Sequence, residues 1–402
     1  MIGTRAVIVS VIIAVMLVIA GHLLVIERSF DAEMIEFRIG YRNDTPRYIR
    51  MAQEFPSATP APFRYRILIP GIIRTLNLPE YAALYWFTNA SLALMYVVLL
   101  LGLHRLGYPL WMALLGVLAL WFTRVHLFNF HNPHLIDAPT LLLFTLGVFM
   151  ILLGVAFRAF LALIVVGMFL REAAIFLTVG WLARYRRLQT AVVVVVALGL
   201  LFGIRAFVDA GVAVVYPTGG FGAYLQYAVD KLGYLNNPLD YVINFFRVWN
   251  FKWFLFVAGL LLITDDRLFF RALFLFGVLV VAAAFSAFIA VDTDRVAGIL
   301  SPLYVLGMTH LFYVLYTQHG RRIALGLWGI LAIEILSYHD IFTPIALNTP
   351  FAYLFYVIML PVTIGVLYIL RHDLLTAGRR RIAQLPAWGR ALLRGGTRTD
   401  KP

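Results

Sequence analysis

Apolar segments, many of them about 20 residues long, recur along most of this chain and constrain its fold more than any other feature. They occupy about residues 6–26, 81–103, 110–122, 138–156, 191–206, 253–263, 270–290, 297–315, 324–336 and 351–370. A helix of about 20 apolar residues spans a bilayer, and lipid offers no partners for exposed backbone polar groups. Because 62% of the residues are hydrophobic and 13% charged, no large water-soluble domain fits between these segments. The sequence predicts an all-α polytopic integral membrane protein of about ten to eleven spanning or half-spanning helices.

The distribution of basic residues predicts the orientation of these helices in the membrane. The first apolar run follows Met-Ile-Gly-Thr-Arg and no small-residue cleavage signature follows it, which indicates an uncleaved signal anchor with a cytoplasmic N-terminus. Alternating the runs places one set of arginines on the cytoplasmic side together with the basic tail, as the positive-inside rule requires: Arg105, Arg158, Arg184, Arg186, Arg187, Arg267, Arg271, Arg321 and Arg322. We therefore expect a multi-pass protein of the bacterial inner (plasma) membrane, with one membrane domain over residues 1–370 and a basic cytoplasmic tail over 371–402. Such a tail is typical of segments that lie near anionic membrane lipid.

The segment 159–183 is unusual because arginines flank it on both sides and Arg171-Glu172 lies in its middle. A single span would put its two ends on opposite sides and an ion pair at the bilayer centre. A re-entrant hairpin with Arg171 and Glu172 at its apex, beside a polar cavity, agrees with the positive-inside rule. It also avoids the cost of placing charged side chains in lipid. The hairpin is the prediction and the single span its alternative. The two charged residues form either a buried structural pair or polar lining of the cavity.

The first extracytoplasmic loop, residues 27–80, concentrates charge of both signs on the side where positive charge is normally depleted. Within it, Asp-Thr-Pro at 44–46 predicts the start of a short interfacial helix, so Asp44 is either a capping carboxylate or a functional acid. Farther along, Arg64, Tyr65 and Arg66 alternate charge with apolar or aromatic side chains. Such a stretch suits either a lipid phosphate ligand or an anchor for bulk lipid. We expect Tyr65 to line the polar cavity.

Two smaller polar clusters lie in other outer segments. His131, His134 and Asp137 are spaced three apart and would suit a divalent metal, but Pro133 interrupts the helix that would align them. We therefore interpret them as a helix cap and a wall of the cavity, with no metal or other cofactor required. The second cluster, in the sequence Val-Asp-Thr-Asp-Arg, consists of Asp292, Asp294 and Arg295. These residues form either an internal ion pair at a membrane boundary or a phosphate contact through the arginine.

Five short motifs, taken in order, resemble the GT-C superfamily of polytopic glycosyltransferases over about residues 1–340: GYRNDTPRYIRMA, PFRYRILIP, HLIDAPTLLLFTLG, FLREAAIFL and VDTDRVAGILSPL. The resemblance implies an essential acid in the first extracytoplasmic loop, a polyprenyl-phosphate-linked sugar donor and inversion at the anomeric carbon. Asp44 is the position that matches this acid. The chain departs from the pattern in having Asn43-Asp44 where many members carry two acids or an acid-x-acid motif.

These residue types also fit the chemistry of an inverting transfer on their own account. One carboxylate takes the proton of the attacking hydroxyl, and cations bear the charge of the leaving phosphate. Asp44 would do the first, and Arg64, Arg66 or Arg295 the second. The expected partners are a polyprenyl-phosphate sugar, a lipid- or glycan-linked acceptor and membrane lipids, without nucleic acid. The rival classes are a polyprenyl-lipid flippase or secondary transporter, which would also need arginines at a phosphate, and a non-catalytic assembly subunit.

The threading has a direct test because the chain contains no native cysteine. Ser57→Cys lies in the first outer loop and Ala391→Cys in the basic tail. In intact cells or oriented vesicles, a membrane-impermeant maleimide should label the first variant from outside and the second only after the membrane is opened. The reverse labelling pattern would overturn the threading.

Overall fold

The chain folds into a bundle of helices. The structure, a computed structural model, describes residues 3–29, 45–55, 65–184, 186–210, 248–289, 297–337 and 350–394, and no strand occurs within these ranges. The helices are α1 (Thr4–Ser29), α2 (Thr45–Gln53), α3 (Leu68–Thr75), α4 (Glu80–Arg105), α5 (Leu110–Trp121), α6 (Arg124–His131), α7 (Asp137–Leu153), α8 (Phe157–Leu170), α9 (Ile175–Gly180), α10 (Arg187–Ala210), α11 (Lys252–Leu261), α12 (Asp266–Ile289), α13 (Ser301–Val314), α14 (Arg321–Ser337), α15 (Pro350–Ile369) and α16 (Arg371–Arg394).

Several of these helices match the dimensions of a bilayer. Among the described residues, five segments are long and apolar enough to cross a membrane, and they lie on α1, α4, α10, α12 and α13. The bent pair α15 and α16 would make a sixth. Helices α5, α7, α8 and α11 are apolar but shorter, with 10–17 residues each, which is the length of a partial span. The prediction of an all-helical membrane protein is confirmed at this level.

Helix α13 forms the buried centre of the bundle. Its residues from Ser301 to Phe312 are all buried, whereas α1 and α10 expose many apolar side chains at the periphery. Helix α11 crosses α13 so closely that a Cβ atom on Gly259 would lie 1.9 Å from the backbone oxygen of Gly307. Small residues permit such approaches between helices in lipid, where packing rather than the hydrophobic effect holds helices together. The two glycines therefore set the contact between these central helices.

The segment 159–183 folds back on itself. After α8 the backbone becomes extended at Arg171, with φ −160° and ψ 132°, and the chain returns through a short 3-10 turn and α9. At the other end of the segment, Nη1 of Arg184 donates a hydrogen bond to the carbonyl oxygen of Val155 at 3.0 Å. The two ends of the segment thus lie together, as the hairpin prediction requires and a single straight span does not allow.

One end of the bundle, which we call the basic end, joins the C-terminus of α7 to the arginines of neighbouring segments. Arg184 and Arg271 donate hydrogen bonds to the carbonyl oxygens of Val155 and Leu152, each at 3.0 Å. The last turn of a helix leaves carbonyl oxygens without intrahelical partners. The two guanidinium groups satisfy oxygens at and just past this helix end, and they tie the hairpin and α12 to α7.

The segment assigned as a basic cytoplasmic tail is helical up to Arg394. Helix α16 leaves α15 at an angle of 65° and docks against the first turn of α12. Arg380 and Gln384 donate hydrogen bonds to the carboxylate of Asp266 at 2.5 and 2.8 Å, and Arg381 pairs with the same carboxylate. The described part of this segment is therefore a docked helix at the basic end.

Replacing Gly259 with alanine should weaken the packing of α11 on α13. The added methyl group would meet backbone atoms of Gly307, which cannot rotate away as a flexible side chain would. The expected loss is about 1–3 kcal/mol in the free energy of unfolding, as for other overpacked sites, measured by thermal or denaturant unfolding in detergent. Gly326→Ala is the matched control, because a Cβ atom there meets nothing within 4 Å. Equal stability of the two variants would contradict the proposed contact.

Candidate functional site

The helix predicted after Asp44 is present as α2. Its Pro46 lies in the first turn, where proline is tolerated because that amide needs no helical partner. The helix buries Tyr48 together with one face of neighbouring residues, namely Thr45, Ile49, Met51 and Ala52. Asp44 itself lies outside the described residues, directly before this helix in the sequence. The helix that the sequence predicted here is thus present, while the role of the acid stays a prediction.

Arg66 joins this first-loop helix to the hairpin. Its side chain is buried, with the residue only 7% exposed, and it lies just before α3. Nε and Nη2 donate hydrogen bonds to the two carboxylate oxygens of Glu172 at 3.5 and 3.2 Å, and Nη1 donates to the hydroxyl of Tyr48 at 3.0 Å. A guanidinium held in this way by a carboxylate fork has a fixed orientation. Arg66 therefore links α2, α3 and the hairpin apex.

The neighbouring apex residue, Arg171, binds a different helix. Its Nη1 donates a hydrogen bond to Oδ1 of Asp137 at 3.0 Å, and Asp137, the first residue of α7, is only 4% exposed. Because the backbone is extended at Arg171, successive side chains point in opposite directions. Arg171 and Glu172 consequently reach partners on different elements. We call these five residues the apex cluster: Tyr48, Arg66, Asp137, Arg171 and Glu172.

A second polar group lies beside the apex cluster at the end of α10. The hydroxyl of Tyr65 is 3.3 and 3.4 Å from the two carboxylate oxygens of Asp209. The guanidinium carbon of Arg205 lies 5.2 Å from the centroid of the Tyr65 ring, within the range of a cation–π contact. Tyr65 precedes Arg66 directly, so this contact brings α10 to the same polar end of the bundle.

His134 lies on the aromatic side of the site. Its ring centroid is 5.7 Å from that of Tyr81 and 6.1 Å from that of Tyr85, both on α4. The turn that carries it is held against α4 by a hydrogen bond of 2.9 Å from the hydroxyl of Thr88 to the carbonyl oxygen of Leu135. Burial lowers the pKa of the His134 imidazole below its usual value, because desolvation disfavours the charged form. The shift favours the neutral form of the ring.

The structure gives no metal-binding geometry to the residues it describes. Within those residues, no group of three or more histidine, cysteine, aspartate or glutamate side chains could hold a metal ion. His134 packs against tyrosine rings, while Asp137 accepts a hydrogen bond from Arg171. The side chain of His131, at the end of α6, lies outside the described part of the chain.

Several predicted site residues fall outside the described ranges: Asp44, Arg64, Asp292, Asp294 and Arg295. The chain is described again from Ala297, which is fully buried. A Cβ atom on Gly298 would lie 2.9 Å from Leu141 and 3.2 Å from Val125. The turn that follows the Val-Asp-Thr-Asp-Arg segment therefore packs on α7, one helical turn beyond Asp137.

Of the predicted residues, the site brings together five: Tyr65, Arg66, Asp137, Arg171 and Glu172. His134 lies in the turn just before α7. Sequence reasoning did not single out Tyr48, Arg205 or Asp209. A signal for Asp209 existed, since an ionisable residue in the last turn of an apolar helix is costly and marks a polar environment. Tyr48 lay on the predicted interfacial helix, but nothing in its spacing identified its partner.

The arrangement presents side chains of the kinds that recognise anions and hydroxyl groups. It contains guanidinium groups oriented by carboxylates, together with tyrosine hydroxyls and a neutral imidazole that can exchange hydrogen bonds. Buried pairs of opposite charge compensate each other within the apex cluster, so the protein carries these groups in a low-dielectric region. The polar groups lie where the first-loop helices meet the hairpin apex and the start of α7.

Removing one partner of the ion pair between Arg66 and Glu172 should destabilise this region. Glu172→Leu removes the carboxylate that faces the buried guanidinium, and we expect a loss of about 3 kcal/mol in the free energy of unfolding in detergent. Adding Arg66→Met should recover most of that loss, since apolar groups of similar size often replace a buried pair without cost. Asp373→Leu is the control, because its pairing with His319 at 2.9 Å is more exposed and should contribute at most about 1 kcal/mol. A double variant no more stable than Glu172→Leu alone would contradict this account.

Comparison with known proteins does not assign the chain to a family or give this site a function. No family model, no curated protein and no solved structure matches the chain.

Proposed function

We propose that this chain is a membrane glycosyltransferase of the GT-C type. It would transfer a sugar from a polyprenyl-phosphate donor to a lipid- or glycan-linked acceptor on the extracytoplasmic side, with inversion. The observation that carries the proposal is the contact of Arg66 with both Tyr48 and Glu172. This contact joins the helix that follows Asp44 to the arginine-bearing stretch and to the hairpin apex, the three regions in which the sequence placed the acid, the phosphate ligands and the cavity.

The proposed reaction is a single displacement. The acceptor hydroxyl oxygen forms a bond to the anomeric carbon as the bond from that carbon to the phosphate oxygen breaks. The hydroxyl proton passes to the carboxylate of Asp44, which acts as general base. The bonding pair leaves with the polyprenyl phosphate, whose added negative charge needs nearby cations or hydrogen-bond donors.

In this proposal, Arg64, Arg66 and Arg295 surround the leaving phosphate. Arg66 is already oriented by Glu172 and Tyr48, and an electrostatic group that is fixed in advance costs little reorganisation during the reaction. Tyr65, His134 and Asp137 would line the cavity, where hydroxyl, imidazole and carboxylate groups suit the hydroxyls of a sugar.

One observation favours a transport function as the second candidate. The helix break at Arg171 places charged side chains inside an otherwise apolar hairpin, and transporters often bind substrates at such breaks. The position of the apex cluster argues for catalysis instead, because it contacts the helices of the first loop rather than a second broken helix within the described residues. A flippase would move the lipid-linked sugar unchanged, whereas a transferase would release polyprenyl phosphate.

The decisive experiment uses purified protein with a panel of polyprenyl-phosphate-linked sugars and lipid or glycan acceptors. Polyprenyl phosphate and the glycosylated product are measured by mass spectrometry. Asp44→Asn preserves the size of the side chain and its ability to cap a helix but removes its basicity. We expect it to insert and bind donor normally while the rate of transfer falls roughly 10²–10⁴-fold.

Asp373→Asn is the matched control, since it removes a carboxylate from the basic end, where Asp373 pairs with His319. It should turn over at the wild-type rate. Full activity of Asp44→Asn would remove the catalytic assignment and make Asp137 the next acid to test. Movement of the donor across proteoliposomes with no product from any sugar would favour the flippase.

A further inference from the structure

A separate surface lies on α16, at the opposite end of the bundle from the apex cluster. Helix α15 exposes Ile364 and Tyr368 shortly before the bend, and α16 then leaves at 65°. With 20 residues, α15 is long enough to cross a bilayer by itself, and the 65° bend then places α16 closer to the membrane surface than to the bilayer normal. Leu375 and Ile382 on α16 remain 59% and 68% exposed. The apolar surface of the spanning helix therefore continues onto α16.

The docking contacts fix which face of α16 is turned outward. Arg381 contacts Asp266, donates a hydrogen bond to the carbonyl oxygen of Ile263 and lies 4.1 Å from the ring centroid of Phe269. Farther up the helix, Asp373 pairs with a histidine of the segment that follows α13. A helix held at two points along one side cannot rotate about its axis. Its opposite side is therefore a fixed surface feature.

That opposite side mixes charge with apolar side chains. Arg371, Leu375, Arg379 and Ile382 are all exposed, and at 100° per residue they fall within about 80° of one another. The guanidinium carbon of Arg371 lies 4.0 Å from the ring centroid of Tyr368, which is typical of arginine and tyrosine at a membrane interface. Over its length, α16 carries six arginines and one aspartate.

We propose that this face of α16, formed by Arg371, Leu375, Arg379 and Ile382, is a binding site for the headgroups of anionic phospholipids. The two apolar side chains enter the acyl boundary, while the two arginines contact phosphate groups at the surface. Charge complementarity selects an anionic over a neutral lipid, because each arginine near an anionic surface gains electrostatic energy that a zwitterionic surface does not supply. Continuity with the lipid-facing side of α15 selects a bilayer surface over a water-soluble partner.

The test measures binding of phosphatidylglycerol to full-length protein in detergent, with phosphatidylcholine as the neutral reference. An arginine beside an anionic surface contributes about fivefold in affinity, so Arg371→Gln with Arg379→Gln should weaken phosphatidylglycerol binding about 25-fold. Binding of phosphatidylcholine should not change. Arg379→Gln alone should show about a fivefold effect, which keeps the proposal testable if the double variant folds poorly.

The matched control removes two exposed arginines from the other end of the bundle, Arg50→Gln with Arg74→Gln. It should bind phosphatidylglycerol as the wild type does. Unchanged affinity in the α16 variants, an equal loss in the control variant, or competition by inorganic phosphate beyond that of chloride at equal ionic strength would each overturn the proposal. The test needs no sugar transfer, so its outcome is independent of the proposed function.

Discussion

The need to pair the four charged side chains of the apex cluster is the constraint that joins the first-loop helices, the hairpin and α7. Two ion pairs, Arg66 with Glu172 and Arg171 with Asp137, close at 3.2 and 3.0 Å among mostly buried groups. Taking such groups out of water costs several kcal/mol per ion unless a partner compensates. The hairpin can therefore carry its charged apex into the bundle only where the first loop and α7 supply the opposite charges. Loop, hairpin and α7 are structurally interdependent for this reason.

The same cost explains why much of the fold could be predicted from the sequence. An apolar run that is long enough to span lipid must be helical, since lipid offers its backbone no other partner. The hairpin followed from one local conflict, because Arg171-Glu172 lay in the middle of a segment whose flanks were both basic. The start of α2 followed from Asp-Thr-Pro, whose preferences are set within one helical turn. Each of these signals is contained in neighbouring residues.

The partners of the charged groups could not be predicted in this way. Glu172 lies 106 residues from Arg66, and Arg171 lies 34 residues from Asp137, so which acid meets which arginine depends on helix packing. Tyr65 was assigned to the cavity, but its contact with Asp209 spans 144 residues. The basic tail gave no sign that it docks, because Arg381 finds its carboxylate on α12, 115 residues earlier. The sequence thus indicates the chemical role that a residue can take, but not which distant side chain it contacts.

The two ends of the bundle use arginine for different purposes, and both purposes suit a chain whose only lysines are Lys231, Lys252 and Lys401. At the basic end, guanidinium groups donate to carbonyl oxygens at or just beyond the ends of α7 and α11, where the helix dipole also favours a cation. At the apex, guanidinium groups pair with carboxylates and a tyrosine hydroxyl. A planar fork with five donors serves several acceptors at once and is more weakly hydrated than an ammonium group. Arginine thus suits both roles, anchoring to backbone oxygens and orienting a polar site within a membrane bundle. The overall excess of arginine therefore does not tell the two roles apart, whereas the local partners of each arginine do.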